Sequence, residues 1–270
     1  MSDVKLAAGK IEAQIIGQGP TLVLFHSLLA DSSSFGKITG TLAGYFRVVV
    51  PSLPGFLGSE AVSGGIEAVA DRLAESVREV APHERTILLG NGYGGFVALT
   101  LVIRHPELIS RLALCDAGAA FSEPGRATFR TMAKLAASGG LEAVADIAMR
   151  RLFAADFHAA NPELVADRRQ RFLAMDETVF TAACEALAVL DLRPQLGGVA
   201  IPVRALVGEQ DEATPPEMSR QLAAMISEAE FEVLPGCAHV PQLQSPSQFL
   251  LAVIPFLTAN RKAIAADVVD

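Results

Sequence analysis

The stretch Thr86-Ile87-Leu88-Leu89-Gly90-Asn91-Gly92-Tyr93-Gly94-Gly95-Phe96-Val97-Ala98-Leu99 decides the fold. Its first four residues read as a strand. A glycine-dense turn follows. An apolar helix then runs on to His105, where Pro106 stops it. Two mechanisms use such a strand–turn–helix. One is dinucleotide binding: Gly90, Gly92 and Gly95 fit G-x-G-x-x-G, and Asp116 lies about 20 residues on, where a ribose-binding acid belongs. The other is a nucleophile elbow, G-x-S-x-G, with Gly90 and Gly94 as the small flanking residues. The residue at the centre of an elbow is held in strained geometry with its tip exposed. Here that residue is Gly92, so the elbow is present without its nucleophile.

Outward from this motif, short apolar runs at 12–16, 21–25, 46–50, 86–89, 111–115, 203–207 and 231–234 read as strands. Segments 66–80, 94–105, 216–226 and 246–258 read as helices; in the first, Ile66, Val69, Ala70, Leu73 and Val77 recur at helical spacing. Strands alternating with helices predict an α/β fold with a mostly parallel sheet flanked by helices. The alternation breaks over 121–193, which is rich in Ala and Arg and reads as several helices. We expect this segment to form a helical cap over the ligand edge of a core made of residues 1–120 and 194–270. The last dozen residues, to Asp270, read as a frayed helix or tail. Two strong apolar strands, at 21–25 and 46–50, and their turns precede the glycine motif, and this places it late for a dinucleotide fold.

Composition sets the outer limits. The chain has 270 residues, 51% of them hydrophobic and 19% charged, enough apolar material for a sizeable core. A formal net charge of -8 argues against a nucleic-acid footprint, which needs a basic face. Mean hydropathy is high at +0.37. Even so, no stretch approaches the roughly 18 uninterrupted apolar residues of a spanning helix, so no membrane partner is expected. The start, Met1-Ser2-Asp3-Val4-Lys5, lacks the pattern of a signal peptide. Cys115, Cys184 and Cys237 are odd in number and widely spaced, as reduced cytoplasmic thiols are. A small-molecule partner is expected, and a homo-oligomer is left open.

Polar residues at strand ends supply the chemistry. His26-Ser27-Leu28 follows the strand at 21–25. Asp211 follows 203–207, and His239 follows 231–234 in Gly236-Cys237-Ala238-His239. Elbow, then acid, then histidine is the chain order of an α/β-hydrolase triad. With these motifs the chain resembles the α/β-hydrolase superfamily from about Leu6 to Thr258. It is most similar to capped bacterial enzymes that act on small esters, lactones, enol-lactones and carbon–carbon bonds of β-diketones. The resemblance implies no cofactor and no metal. It implies His239 as general base, Asp211 as its orienting acid and Asp116 as the reserve acid. The Leu28 and Tyr93 amides become the oxyanion hole. His26 and Ser27 join the pocket region, with His26 behind the oxyanion loop. Many relatives carry His-Gly where this chain has His26-Ser27. Ser27 lies on a different loop from the elbow and is read as a pocket hydroxyl, not as a nucleophile guided by His239. Cys115 and Cys237 read as packed residues.

Gly92 then shapes the expected mechanism. Covalent acyl transfer needs an oxygen or sulfur at the elbow tip. Without one, we expect His239 to activate water directly, with that water in the space a side chain would fill. A lyase-type proton transfer through the same pair is a variant. The alternatives are a non-catalytic binding protein, a serine hydrolase disabled by substitution and, more remotely, a dinucleotide-binding oxidoreductase. Asn91 also departs from the His common before the nucleophile, and two departures favour natural divergence. Arg126, Arg130, Arg150 and Arg151 are candidates to meet a substrate carboxylate.

Overall fold

The computed structural model describes residues 2–259, so the expected tail lies outside the described residues. The first strand, β1 (Ser2–Leu6), is one that the apolar pattern does not predict. It pairs antiparallel with β2 (Ile11–Ile16). Most of β1 is exposed at the sheet edge, so it carries no buried run for pattern reading to find. The sheet continues with β3 (Thr21–Phe25), β4 (Arg47–Pro51), β5 (Thr86–Asn91), β6 (Ile109–Cys115), β7 (Val203–Gly208) and β8 (Glu230–Leu234). The spatial order is β1-β2-β4-β3-β5-β6-β7-β8. The pairings from β4 to β8 are all parallel, and β2 joins β4 antiparallel.

Helices cover both faces. The first three are α1 (Gly36–Leu42), α2 (Gly65–Val80) and α3 (Tyr93–Arg104). Between β6 and β7 the chain leaves the sheet for α4 (Glu123–Gly139), α5 (Glu142–Leu152), α6 (Ala155–Ala160), α7 (Pro162–Leu173) and α8 (Glu177–Val189). The last three are α9 (Pro216–Ala224), α10 (Pro241–Gln244) and α11 (Pro246–Thr258). Period-2 alternation divides the apolar strand residues between two cores. Val23 and Phe25 face the core shared with α2 and α3, while Leu22 and Leu24 face the one shared with α1 and α11. All of β3 is buried, as a strand covered on both faces must be.

Two features position the site. The strand order reverses between β3 and β5, which opens a crevice at their carboxyl ends where α/β sheets bind ligands. The loops after these strands carry residues 26–28 and 91–93. The inserted helices α4–α8 also return to their starting point. Ala120 and Asp191 form an antiparallel bridge, and Leu192 N donates to Ala119 O at 2.8 Å. Arg126 closes the same neck by donating to the carbonyls of Phe121 and Leu190. On the far side, buried Arg168 of α7 reaches Ser33 Oγ at 2.9 Å and Asp31 at 3.7 Å.

Candidate active site

β5 runs into the tight turn at Gly92, whose backbone lies at φ +54 and ψ -121. L-residues rarely adopt this region, and glycine relieves strain of about 1 kcal/mol there. Gly94 serves a different need, because a Cβ on it would meet Phe25 O at 2.3 Å. These contacts, rather than a nucleotide phosphate, account for the glycines. Asp116 corrects the dinucleotide reading in the same way. It is fully buried, with Oδ1 accepting from Gly208 N at 2.8 Å and Oδ2 from Asn91 Nδ2 at 3.2 Å, so no ribose reaches it.

His239 and Asp211 meet as their chain order suggests. Asp211 Oδ2 lies 3.0 Å from His239 Nδ1, with both side chains buried. A carboxylate accepts only, so it fixes the proton on Nδ1 and leaves Nε2 to accept. Asp211 is held in turn by Ala213 N at 2.7 Å, Thr214 N at 3.1 Å and Thr214 Oγ1 at 2.5 Å. Burial pushes its carboxyl up, but His239 and the Thr214 hydrogen bonds outweigh that and hold it below the usual range. Asp116 goes the other way. Burial, then the Asp211 charge, raises it well above a normal carboxylate and favours its neutral form. Two neighbouring carboxyls are thus driven apart, and the charge rests on the one that touches His239.

The Nε2 side holds the largest departure from expectation. Ser27 Oγ lies 3.1 Å from His239 Nε2. A Cβ on Gly92 would stand 2.6 Å from both of those atoms. The space read as a water site is therefore taken by the Ser27 hydroxyl. The reading of Ser27 as too remote to pair with His239 is corrected by the adjacency of β3 and β5. Sequence distance hides this neighbourhood, since 212 positions separate the two residues.

Leu28 and Tyr93, whose amides are the expected oxyanion donors, line the same cavity as Ser27 and His239. Among the described residues no protein acceptor meets the Leu28 or Tyr93 amide. Tyr93 is the first residue of α3, where the amide has no intrahelical partner. His26 does not line the cavity, which corrects its grouping with the pocket residues, and it buttresses the loop from behind as expected. Leu53 N donates to its Nε2 at 3.1 Å, and its Nδ1 then donates to Ser27 O at 3.0 Å. Burial lowers its pKa to about 4 and keeps the ring neutral. All three cysteines are free and buried. Burial pushes Cys237 up to about 11, Cys184 to about 12 and Cys115 well above the normal range, so none is an activated thiolate.

Two residues given no site role from the sequence, Asn91 and Gln242, hold the site together. Asn91 Nδ2 donates to His239 O at 2.9 Å and to Asp116 Oδ2, while its Oδ1 accepts from Gln242 Nε2 at 2.9 Å. A polar residue inside the apolar strand–turn junction was the available signal. Asp116, Asp211 and His239 offer ligand atoms within 4.8 Å of one another, the one group that could hold a metal ion among the described residues. Their atoms are already engaged with each other and with backbone amides, which suits a proton relay better than an ion.

The cavity above Ser27, Gly92 and His239 measures about 20 Å³, roughly one water. Its other walls are apolar and come largely from Phe96, Phe121, Phe129, Met132 and Leu187; Arg151 is its one cation. Arg151 also donates to Ala213 O at 3.2 Å. The other candidate arginines lie elsewhere. Arg126 closes the neck, Arg130 pairs with Glu123, and Arg150 lines a separate groove of about 1080 Å³ beside α5–α7.

Known proteins share this fold. The alpha/beta hydrolase family profile matches residues 22–253. The pimeloyl-(acyl-carrier protein) methyl ester esterase of Nitrosospira multiformis is 28% identical over 268 residues, covering 89% of this chain and 95% of that protein. The 3-oxoadipate enol-lactonase 2 of Acinetobacter baylyi is 28% identical over 237 residues, 87% of each chain. The enol-lactonase structure from Burkholderia xenovorans superposes with a TM-score of 0.86 at 28% identity, covering 95% of this chain and 100% of that one. The eight-stranded sheet, the elbow after β5 and the profile over most of the sequence agree: the chain belongs to the alpha/beta hydrolase family.

Proposed function

We propose that this protein is a hydrolase of small carbonyl compounds of the ester, lactone or β-diketone type, with His239 as general base and Asp211 as its orienting acid. One observation carries the reading: a buried Asp211–His239 contact of 3.0 Å turns Nε2 toward a small, largely apolar cavity lined by two residues with free amides. A binding protein has no use for such a pair, since the Asp211 charge behind His239 costs desolvation without touching a ligand in the cavity. The elbow tip supplies no nucleophile, since Gly92 has no side chain. The Leu28 and Tyr93 amides would stabilise the developing oxyanion.

The similar methyl ester esterase and enol-lactonases support the ester and lactone classes. Helices α4–α8 act in this reading as a cap that excludes water and opens to admit substrate, since about 20 Å³ holds no ester. Arg151 lines the cavity and in this reading meets a substrate anion. Among the described residues no helix is long and apolar enough to cross a membrane. Three free thiols suit a reducing cytoplasm.

The test is a panel of nitrophenyl esters, lactones and β-diketones assayed with wild type and His239→Ala. We expect turnover in at least one class, and a loss of about 10²–10⁴-fold in kcat/KM with the variant. Unchanged turnover in His239→Ala refutes the base assignment.

A further inference from the structure

We propose that Ser27 is the nucleophile: the attacking hydroxyl has moved from the elbow to the loop after β3. This rests on the reading of His239 and Asp211 as the base pair. The elbow and this loop lie side by side because β3 and β5 are neighbours in the sheet, paired from Leu22↔Ile87 to Phe25↔Gly90. Gly94 N donates to His26 O at 3.0 Å and ties the two loops together at the site. An activated nucleophile is recognised by a hydroxyl within about 2.6–3.2 Å of a base that a third group orients. Ser27 Oγ, His239 Nε2 and Asp211 meet that requirement at 3.1 and 3.0 Å.

The remaining parts fit an exchange of roles between the loops. In the ordinary arrangement one oxyanion donor is the amide after the nucleophile, and the other comes from the loop after the third strand. With Ser27 attacking, Leu28 becomes the amide after the nucleophile and Tyr93 becomes the donor from the other loop. Both amides are free of protein acceptors among the described residues. Gly92 gains a specific reason as well. Any Cβ there would stand 2.6 Å from Ser27 Oγ and His239 Nε2, so glycine clears the space through which they meet. The hydroxyl also avoids the strained elbow, because Ser27 lies outside the left-handed region that Gly92 occupies at φ +54.

The steps balance without an added reagent. Ser27 Oγ bonds to the substrate carbonyl carbon as His239 Nε2 takes the hydroxyl proton. The carbonyl oxygen becomes an oxyanion between the Leu28 and Tyr93 amides. Collapse restores the carbonyl and breaks the bond to the alkoxide, which takes the proton from His239 and leaves as the alcohol; in a lactone it stays attached. Water then enters, and the cavity of about 20 Å³ has room for one molecule. His239 takes a proton from it, the hydroxide attacks the acyl-Ser27 carbonyl, and collapse releases the acid. Ser27 recovers its proton from His239.

The experiment treats the full chain with a fluorophosphonate probe. Labelled peptides are mapped by mass spectrometry, and ester turnover is followed in wild type, Ser27→Ala, Ser27→Cys, His239→Ala and the double variant Ser27→Gly with Gly92→Ser. Circular dichroism confirms that each variant is folded. We expect one label per chain on Ser27, at least a 10³-fold loss of turnover and no label in Ser27→Ala, partial activity in Ser27→Cys, and a label moved to position 92 in the double variant. Turnover kept in Ser27→Ala but lost in His239→Ala overturns the nucleophile and leaves the base pair standing, with water attacking directly. Turnover kept in His239→Ala overturns the base pair itself. A wild type that neither hydrolyses nor takes the label overturns both.

Discussion

Ser27 Oγ stands 2.6 Å from the point where a Cβ on Gly92 would lie, so the hydroxyl and the missing side chain compete for one space. The same point is 2.6 Å from His239 Nε2. A residue on one loop and a glycine on the next thus form a matched pair, and changing either alone disturbs the other.

Restoring serine at the elbow alone is therefore expected to harm the protein. Gly92→Ser meets both the crowding and a backbone at φ +54. Overpacking and strain together cost about 2–4 kcal/mol. Adding Ser27→Gly removes the Ser27 part of the crowding, leaves the His239 contact and the backbone strain, and returns up to about half of that loss. Urea melts of the single and double variants measure it, and a fully stable Gly92→Ser single variant would show that the space is not shared.

Asp211→Asn is expected to lower kcat by about 10³–10⁴-fold with little change in KM, since an amide can present the wrong tautomer to His239. Asp116 does not rescue it. Its oxygens serve Gly208 N and Asn91, and burial favours its neutral form. Steady-state kinetics of Asp211→Asn and Asp116→Asn separate the two. A larger kcat loss in Asp116→Asn would reverse the assignment.

Acid should destabilise the fold through His26. Its folded pKa is depressed to about 4 from 6.5, so between those values the unfolded chain takes up a proton that the native state refuses. The stabilising contribution is present above the unfolded value and is lost as pH falls toward the folded one. From pH 7.5 to 5 the loss is about 2 kcal/mol. Raised Asp116 acts with the opposite sign over this range. Urea melts at the two pH values should show His26→Gln losing about 2 kcal/mol less than wild type; equal slopes would mean that His26 is not held neutral.

Asn91→Ala removes the donor to His239 O and leaves Gln242 Nε2 without its acceptor. Each buried group left unpaired costs about 1–3 kcal/mol. We expect a stability loss of about 2–4 kcal/mol and a lower kcat, measured by melts and by turnover below the transition.

Much of this molecule is legible in its residues. Thr86–Asn91 followed by Gly92 and Tyr93 fixes the strand–turn–helix; Asp211 follows the buried apolar run of β7, and His239 follows the half-buried edge strand β8. What escaped notice is non-local. β1 is exposed, and its place depends on pairing with β2 rather than on its own pattern. Ser27 reaches His239 only because the sheet sets β3 beside β5, an adjacency that neither loop encodes. His26, by contrast, lies behind the oxyanion loop as its sequence reading has it, because Leu53 N and Ser27 O hold both of its ring nitrogens.

The most direct measurement of the central claim is rapid-quench mass spectrometry of the wild-type chain mixed with a nitrophenyl ester. The account predicts a transient mass increase equal to one acyl group, located on Ser27, with a burst of about one nitrophenolate per chain. Steady turnover that depends on His239 with no acyl adduct at any time would contradict it.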